Sequence, residues 1–143
     1  MDKEKIFGLF DNNFDENLQK EIGSYKKSFH FKIGMFIKVV IYGDKWKNSV
    51  VSMFSKANTD FDVKDIDSVG NMMLYTRAWY WISQFDFDNK ECINDLNIFL
   101  DKDEETYNSS DLFISLMRTI KYFEKTEEFE KCAFLVKIRD LLK

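Results

Sequence analysis

The chain has no proline, only five glycines, two cysteines and one histidine among its 143 residues. With no proline and little glycine, the sequence lacks the punctuation that many short strands and tight turns require, and this favours long helices. Two cysteines forty residues apart, Cys92 and Cys132, are too few for a disulfide framework and are expected to be reduced thiols. The lone His30 leaves no HExxH, and neither cysteine belongs to a Cys-x-x-Cys pair, so a zinc site is not expected. A histidine-dependent serine or cysteine nucleophile would have to use His30, which has no marked partner. No run of about 18 apolar residues exists, which argues against a membrane span. The start, Met-Asp-Lys-Glu-Lys-Ile-Phe, lacks the basic-then-apolar pattern of a signal peptide, so a cytoplasmic protein is expected.

Phosphate loops are missing too, since neither G-x-x-x-x-G-K-[ST] nor G-x-G-x-x-G occurs. The acidic runs beginning at Asp86 and Asp101 fail the calcium-loop test. The first puts Glu91 at position 6 and Asn97 at position 12, and the second puts Thr106 and Leu112 there. They read as solvated loops and helix-start acids. Carboxylates abound, but no spacing singles out a pair for glycosidase or magnesium chemistry. No cofactor or metal is expected, and the balance of signals is against an enzyme.

What is present is apolar and aromatic. Hydrophobic residues make up 45% and aromatics 17% of the chain, enough for a folded core. Phe14, Leu18, Ile22, Tyr25, Phe29, Ile33, Phe36 and Val40 follow at spacings of three and four, a helical stripe over seven turns. Asn13 and Glu16 are placed as a capping box, Gly43 as a C-cap and Asp44 as the next N-cap. A rival pattern competes here, because residues 29–42 also alternate as a strand would. Trp46, Val50, Met53, Phe54 and Ala57 continue as a second amphipathic helix, and a polar loop at 57–62 precedes a third helix of about 63–85. Asn89 is placed to cap a short helix carrying Cys92, Ile93, Leu96, Phe99 and Leu100. Ser109 or Ser110 is placed to cap one with Leu112, Phe113, Leu116, Met117, Ile120 and Phe123 inward. A break at Lys125–Thr126 opens the last helix, 127–142. The expectation is a single all-α domain over 1–143, a bundle of five to seven helices ending in a helical hairpin at 110–142. The alternative is α+β with residues 29–42 as a strand.

The third helix contains the stretch R-A-W-Y-W-I-S-Q-F and is apolar around most of its circumference, which predicts a central position packed on several sides. Trp79 and Trp81 point about 160° apart, so they cannot line one flat site; core is the favoured reading, with Arg77 and Trp81 as the candidates for an interface. Charge is uneven. Residues 20–56 carry eight lysines against Glu21 and Asp44, and residues 57–107 carry twelve acids against four bases. Such asymmetry can steer a charged partner or merely solvate two faces.

The segment Y-F-E-K-T-E-E-F-E-K-C-A-F-L-V-K-I-R-D-L-L resembles the UVR motif, a two-helix interaction module of nucleotide-excision-repair proteins and of some bacterial protease adaptors. Phe129, Glu130, Ala133 and Leu135 match, Cys132 replaces the first alanine, and Arg139-Asp140 come later than the pattern places them. The resemblance implies docking to another helical hairpin. In the last helix, Phe129, Cys132, Ala133 and Val136 form one apolar stripe, and Phe134, Leu135, Ile138, Leu141 and Leu142 form another.

These features suit a non-enzymatic accessory, adaptor or inhibitor protein, of the phage-encoded kind that acts on a host complex. The partner is expected to be another protein, with a homo-oligomer as an open alternative, nucleic acid disfavoured and no membrane. Candidate contact residues are Arg77, Trp81, Phe134, Leu135, Ile138 and Leu142, together with the acids Asp101, Asp103 and Glu104, which could present negative charge to a basic partner. The alternative is a small-ligand or nucleotide-binding bundle whose pocket uses Arg77, Trp79 and Tyr80 with Lys32 or Lys38.

Overall fold

The computed structural model describes residues 13–57, 63–101 and 107–142. Within them the chain forms six helices and no strand: α1 (Asn13–Lys27), α2 (Phe29–Ala57), α3 (Val63–Ile82), α4 (Lys90–Asp101), α5 (Ser109–Lys125) and α6 (Phe129–Leu141). The all-α expectation holds, and residues 29–42 are helical. The α2 helix is the hub, packing against α1, α3, α4 and α5, while α5 and α6 form a hairpin.

The long stripe is interrupted at a different place from the one expected. The chain bends at Ser28, whose Oγ accepts from Phe31 N–H at 3.3 Å, while Asp95 Oδ2 of α4 accepts from Phe29 N–H at 3.0 Å. Two of the orphan N–H groups that open a helix are thereby satisfied, so a break costs little here. Gly43 ends nothing, because α2 runs through it. A Cβ at Gly43 would stand 2.5 Å from Leu74 Cδ1. Its small size lets α2 and α3 approach closely, and that is its use, not a C-cap.

Burial begins at the bend. Phe29, Ile33, Phe36, Ile37 and Val40 are buried, whereas Ile22 is exposed and Leu18 only half-buried. The side chains of Phe14, Tyr25, Phe54 and Ala57 lie outside the described residues, as does the loop 58–62. Asn13 is the first described residue, so its capping box falls at that boundary. The core joins these α2 residues to Ala78, Ile82 and Phe85, Leu96 and Phe99 of α4, Leu112, Leu116, Ile120 and Phe123 of α5, and Cys132, Leu135 and Ile138 of α6.

Helix ends follow local side-chain chemistry. Asn89 Oδ1 accepts from Glu91 N–H at 2.9 Å, as expected. The α5 cap is Asn108, not Ser109 or Ser110: Asn108 Oδ1 accepts from Asp111 N–H while Asp111 Oδ2 accepts from Asn108 N–H, a reciprocal capping box. At the α5–α6 turn, Glu127 takes a left-handed φ of 61°, Glu128 N–H donates to Phe123 O and Glu127 N–H to Glu124 O. That pattern is the Schellman ending of a helix, with glutamate where glycine is usual.

Candidate binding surfaces

The contact of α2 with α3 divides the hairpin into two faces. The helices run antiparallel in register, with Gly43 against Leu74 and with Lys47 Nζ reaching Asp67 Oδ1 (3.2 Å) and Asn71 Oδ1 (3.1 Å). Buried positions on α3 recur every fourth residue: Ile66, Gly70, Leu74, Ala78 and Ile82. At about 100° per residue, Asp44 and Lys47 of α2 and Asn71 and Tyr75 of α3 fall on one side of the Gly43–Leu74 line. Trp46 and Met53 of α2, with Met73, Arg77 and Tyr80 of α3, fall on the other.

That second side is apolar and open to water. Trp46 is 46% exposed, Met53 70%, Met73 44% and Tyr80 60%, and Val69 and Met72 extend the exposed surface around α3. The expectation that α3 is packed on several sides is therefore corrected. Its apolar circumference is only half used, because α4, α5 and α6 all gather on the opposite side of the hairpin. The Trp46 and Met53 stripe on α2, expected to be inward, likewise faces solvent.

The aromatic stretch splits as its geometry requires. Trp79 is half-buried, edge-on to Phe123 (5.8 Å) and Phe134 (5.3 Å), with Lys131 Nζ 5.4 Å from its ring centre. Trp81 turns the other way, against Phe31 at 5.9 Å, and its Nε1 is buried with no hydrogen-bond partner among the described residues. Tyr80 lies beside Trp81 at 5.0 Å. Arg77 is exposed, so Arg77, Tyr80 and Trp81 come together on the outer face.

Other expected site residues are placed differently. Leu135 and Ile138 are wholly buried in the core, which corrects their assignment to a contact surface. The buried face of α6 is Cys132, Leu135 and Ile138, which draws on both expected stripes and leaves Phe129, Ala133 and Leu141 exposed, so neither stripe is buried as a unit. Phe134 and Leu142 are half-buried against the same core. Asp101 is exposed at the end of α4, and Asp103 and Glu104 lie outside the described residues. The ligand-pocket set does not converge. Trp79 and Tyr80 occupy different sides of α3, and neither, nor Arg77, Lys32 or Lys38, lines the cleft between α2, α3 and α5. Phe113 and Met117, expected inward, are exposed, and Ser115 and Thr119 take the buried positions of α5 instead.

An open cleft of about 380 Å³ lies on the side opposite the apolar face. Val40, Asp44 and Lys47 of α2, Asn71 and Tyr75 of α3, and Arg118, Lys121, Tyr122 and Lys125 of α5 line it. Tyr75 and Tyr122 stack with ring centres 4.3 Å apart and planes 15° from parallel. Burial pushes the Tyr75 phenol above its ordinary range; Arg118 opposes that rise, and Asp44 and Tyr122 add to it. Tyr122 is raised by burial and then by Glu128. Sequence reasoning missed this cleft, although Arg118, Lys121 and Lys125 stand at i, i+3 and i+7 around Tyr122, a one-sided cationic stripe. A smaller cavity of about 350 Å³, lined by Ser24, Ser28, Glu91, Asn94, Asp95 and Ile98, surrounds the α2 cap.

Among the described residues no three histidine, cysteine or acidic side chains gather as a metal site, and no helix is long and apolar enough to cross a membrane. Both cysteines are free thiols. Cys132 Sγ lies 3.6 Å from Ile120 O, and burial pushes its thiol above the ordinary range, so it is protonated at neutral pH and a poor nucleophile. Comparison with known protein families, curated proteins and solved structures finds no match to this chain.

Proposed function

We propose that this chain is a non-enzymatic accessory protein that binds another protein through the outer face of the α2–α3 hairpin. The observation that carries the reading is the cluster of Trp46, Met53, Met73, Arg77 and Tyr80, exposed together on one side of one helix pair. Leaving a large apolar side chain in water forgoes about 1.5–3 kcal/mol of burial each, which a partner covering them would recover. Tryptophan, tyrosine and arginine dominate interface hot spots, and methionine adapts its shape to a partner's surface. An adaptor or inhibitor role, including that of a phage factor on a host complex, fits such a surface, and so does action in the cytoplasm.

The α5–α6 hairpin provides a second surface of the same kind. Phe113, Ile114 and Met117 of α5 and Leu141 of α6 are exposed. This is the hairpin that resembles the UVR motif, and the resemblance implies a helical-hairpin partner there.

A capture experiment tests the main reading. Wild type, Met73→Glu/Tyr80→Glu and the cleft variant Lys121→Ala/Lys125→Ala are tagged and exposed to nuclease-treated host lysate, after circular dichroism shows all three folded. The reading expects one stoichiometric protein held by wild type and the cleft variant and lost from the outer-face variant. Sedimentation of the purified chain separates self-association. Equal capture by all three, or none by any, overturns the proposal.

A further inference from the structure

The cleft opposite the apolar face has a different chemistry and carries an independent inference. Arg118, Lys121 and Lys125 project from one face of α5, with two like-charge neighbours at i,i+3 and i,i+4, an arrangement that by itself weakens a helix. None of the three makes an ion pair among the described residues, whereas Lys47 across the cleft is held by Asp67 and Asn71. The lining therefore keeps three uncompensated cations against one uncompensated acid, Asp44. The stacked Tyr75 and Tyr122 both line the cleft, each ring covering one face of the other. A volume of about 380 Å³ falls at the small end of ligand pockets.

We propose that this cleft binds a small polyphosphate anion, held by Arg118, Lys121 and Lys125 from α5 and by Lys47 from α2, with the tyrosine hydroxyls as further donors. A guanidinium offers a two-pronged contact to phosphate oxygens, and the lysines act as point charges around it. The lining is dominated by cations, so the phosphates supply the recognition. Asp44, also in the lining, limits the negative charge the cleft accepts.

Binding is measured by calorimetry and by thermal unfolding at low salt with inorganic phosphate, pyrophosphate, tripolyphosphate, ATP and a single-stranded oligonucleotide. The proposal expects pyrophosphate and tripolyphosphate to bind and raise the melting temperature, with phosphate weaker. ATP should match tripolyphosphate, since the phosphates carry the recognition, and much tighter binding of ATP would overturn that assignment. Lys121→Ala and Arg118→Ala, both on an exposed helix face, should each weaken pyrophosphate about tenfold, and added salt should weaken it further. Met73→Glu/Tyr80→Glu should bind pyrophosphate as wild type does. The proposal is overturned if no polyphosphate binds at millimolar concentration, if binding persists undiminished in Arg118→Ala, or if the oligonucleotide binds in the cleft far more tightly than any free polyphosphate.

Discussion

Single side chains show where this molecule carries local cost. Ser115 is fully buried and its Oγ has no hydrogen-bond partner among the described residues, while its carbonyl accepts from Thr119 Oγ1 at 2.7 Å. Replacing it with alanine removes a buried orphan hydroxyl and improves helix propensity, so Ser115→Ala should stabilise by about 1 kcal/mol. Thermal unfolding would show a rise of roughly 2–4 °C; a fall would mean that the hydroxyl has a partner. Glu128 is the opposite case, a charged group favoured where it stands. Its carboxylate accepts from Lys131 Nζ at 2.9 Å and from Thr126 Oγ1 at 2.7 Å, and these bonds hold its pKa below the ordinary glutamate range. A lowered folded-state pKa contributes stability above the unfolded value, which is lost as pH falls through the folded one. Wild type should therefore lose stability below about pH 4.5 more steeply than Glu128→Gln, by well under 1 kcal/mol because the pair is exposed. Parallel acid limbs in the two proteins would show that the bonds do not persist in solution.

At the scale of the element, the helices were legible from spacing but only some of their ends were: the Asn89 cap and the break at Lys125–Thr126 stand where expected. Phe29, Ile33, Phe36 and Val40 are buried as their three–four rhythm requires. The break at Ser28 was hidden because one of its two caps is Asp95, sixty-six residues away, and no local pattern encodes that partner. Gly43 looked like a stop because glycine usually is one there; a close helix crossing needs the same residue for a different reason. A pair of substitutions separates the two roles. Gly34→Ala meets nothing within 4 Å and should stabilise by about 0.5–1 kcal/mol. Gly43→Ala gains the same propensity but drives a Cβ against buried Leu74, and should destabilise by about 1 kcal/mol net. Chemical denaturation measures both, and stabilisation by both would contradict the crossing. Asp95→Ala should cost about 1 kcal/mol by freeing the Phe29 N–H, and Asp95→Asn less.

For the whole molecule, composition and periodicity led to the all-α bundle, but they could not say which apolar faces meet. An α3 helix that is apolar nearly all round reads as central when viewed alone. Among the described residues α4, α5 and α6 lie together on one of its sides, and Val69, Met72, Met73 and Tyr80 are left exposed. Arginine beside aromatics singles out Arg77 and Trp81 in the sequence, and the structure places Arg77 exposed and Trp81 half-buried. The exposure of Trp46, Met53 and Met73 was not legible, because an amphipathic stripe does not declare whether it faces its own core or water. Leu135 and Ile138 fail as contact residues for the same reason in reverse. The fold joins the basic and acidic segments at one point, where Lys47 pairs with Asp67. The cationic cleft arises instead from α5, outside the basic segment that composition picked out.

The outer face is tested most directly by methionine oxidation of the captured complex. Dilute peroxide is applied to the free protein and to the complex, and each methionine is read by mass spectrometry. Met53, Met73 and Met117 are all exposed in the free chain, so all three should oxidise there. The account predicts that the partner shields Met53 and Met73 and leaves Met117 reactive. Equal oxidation of Met53 and Met73 in the free and bound protein would contradict it.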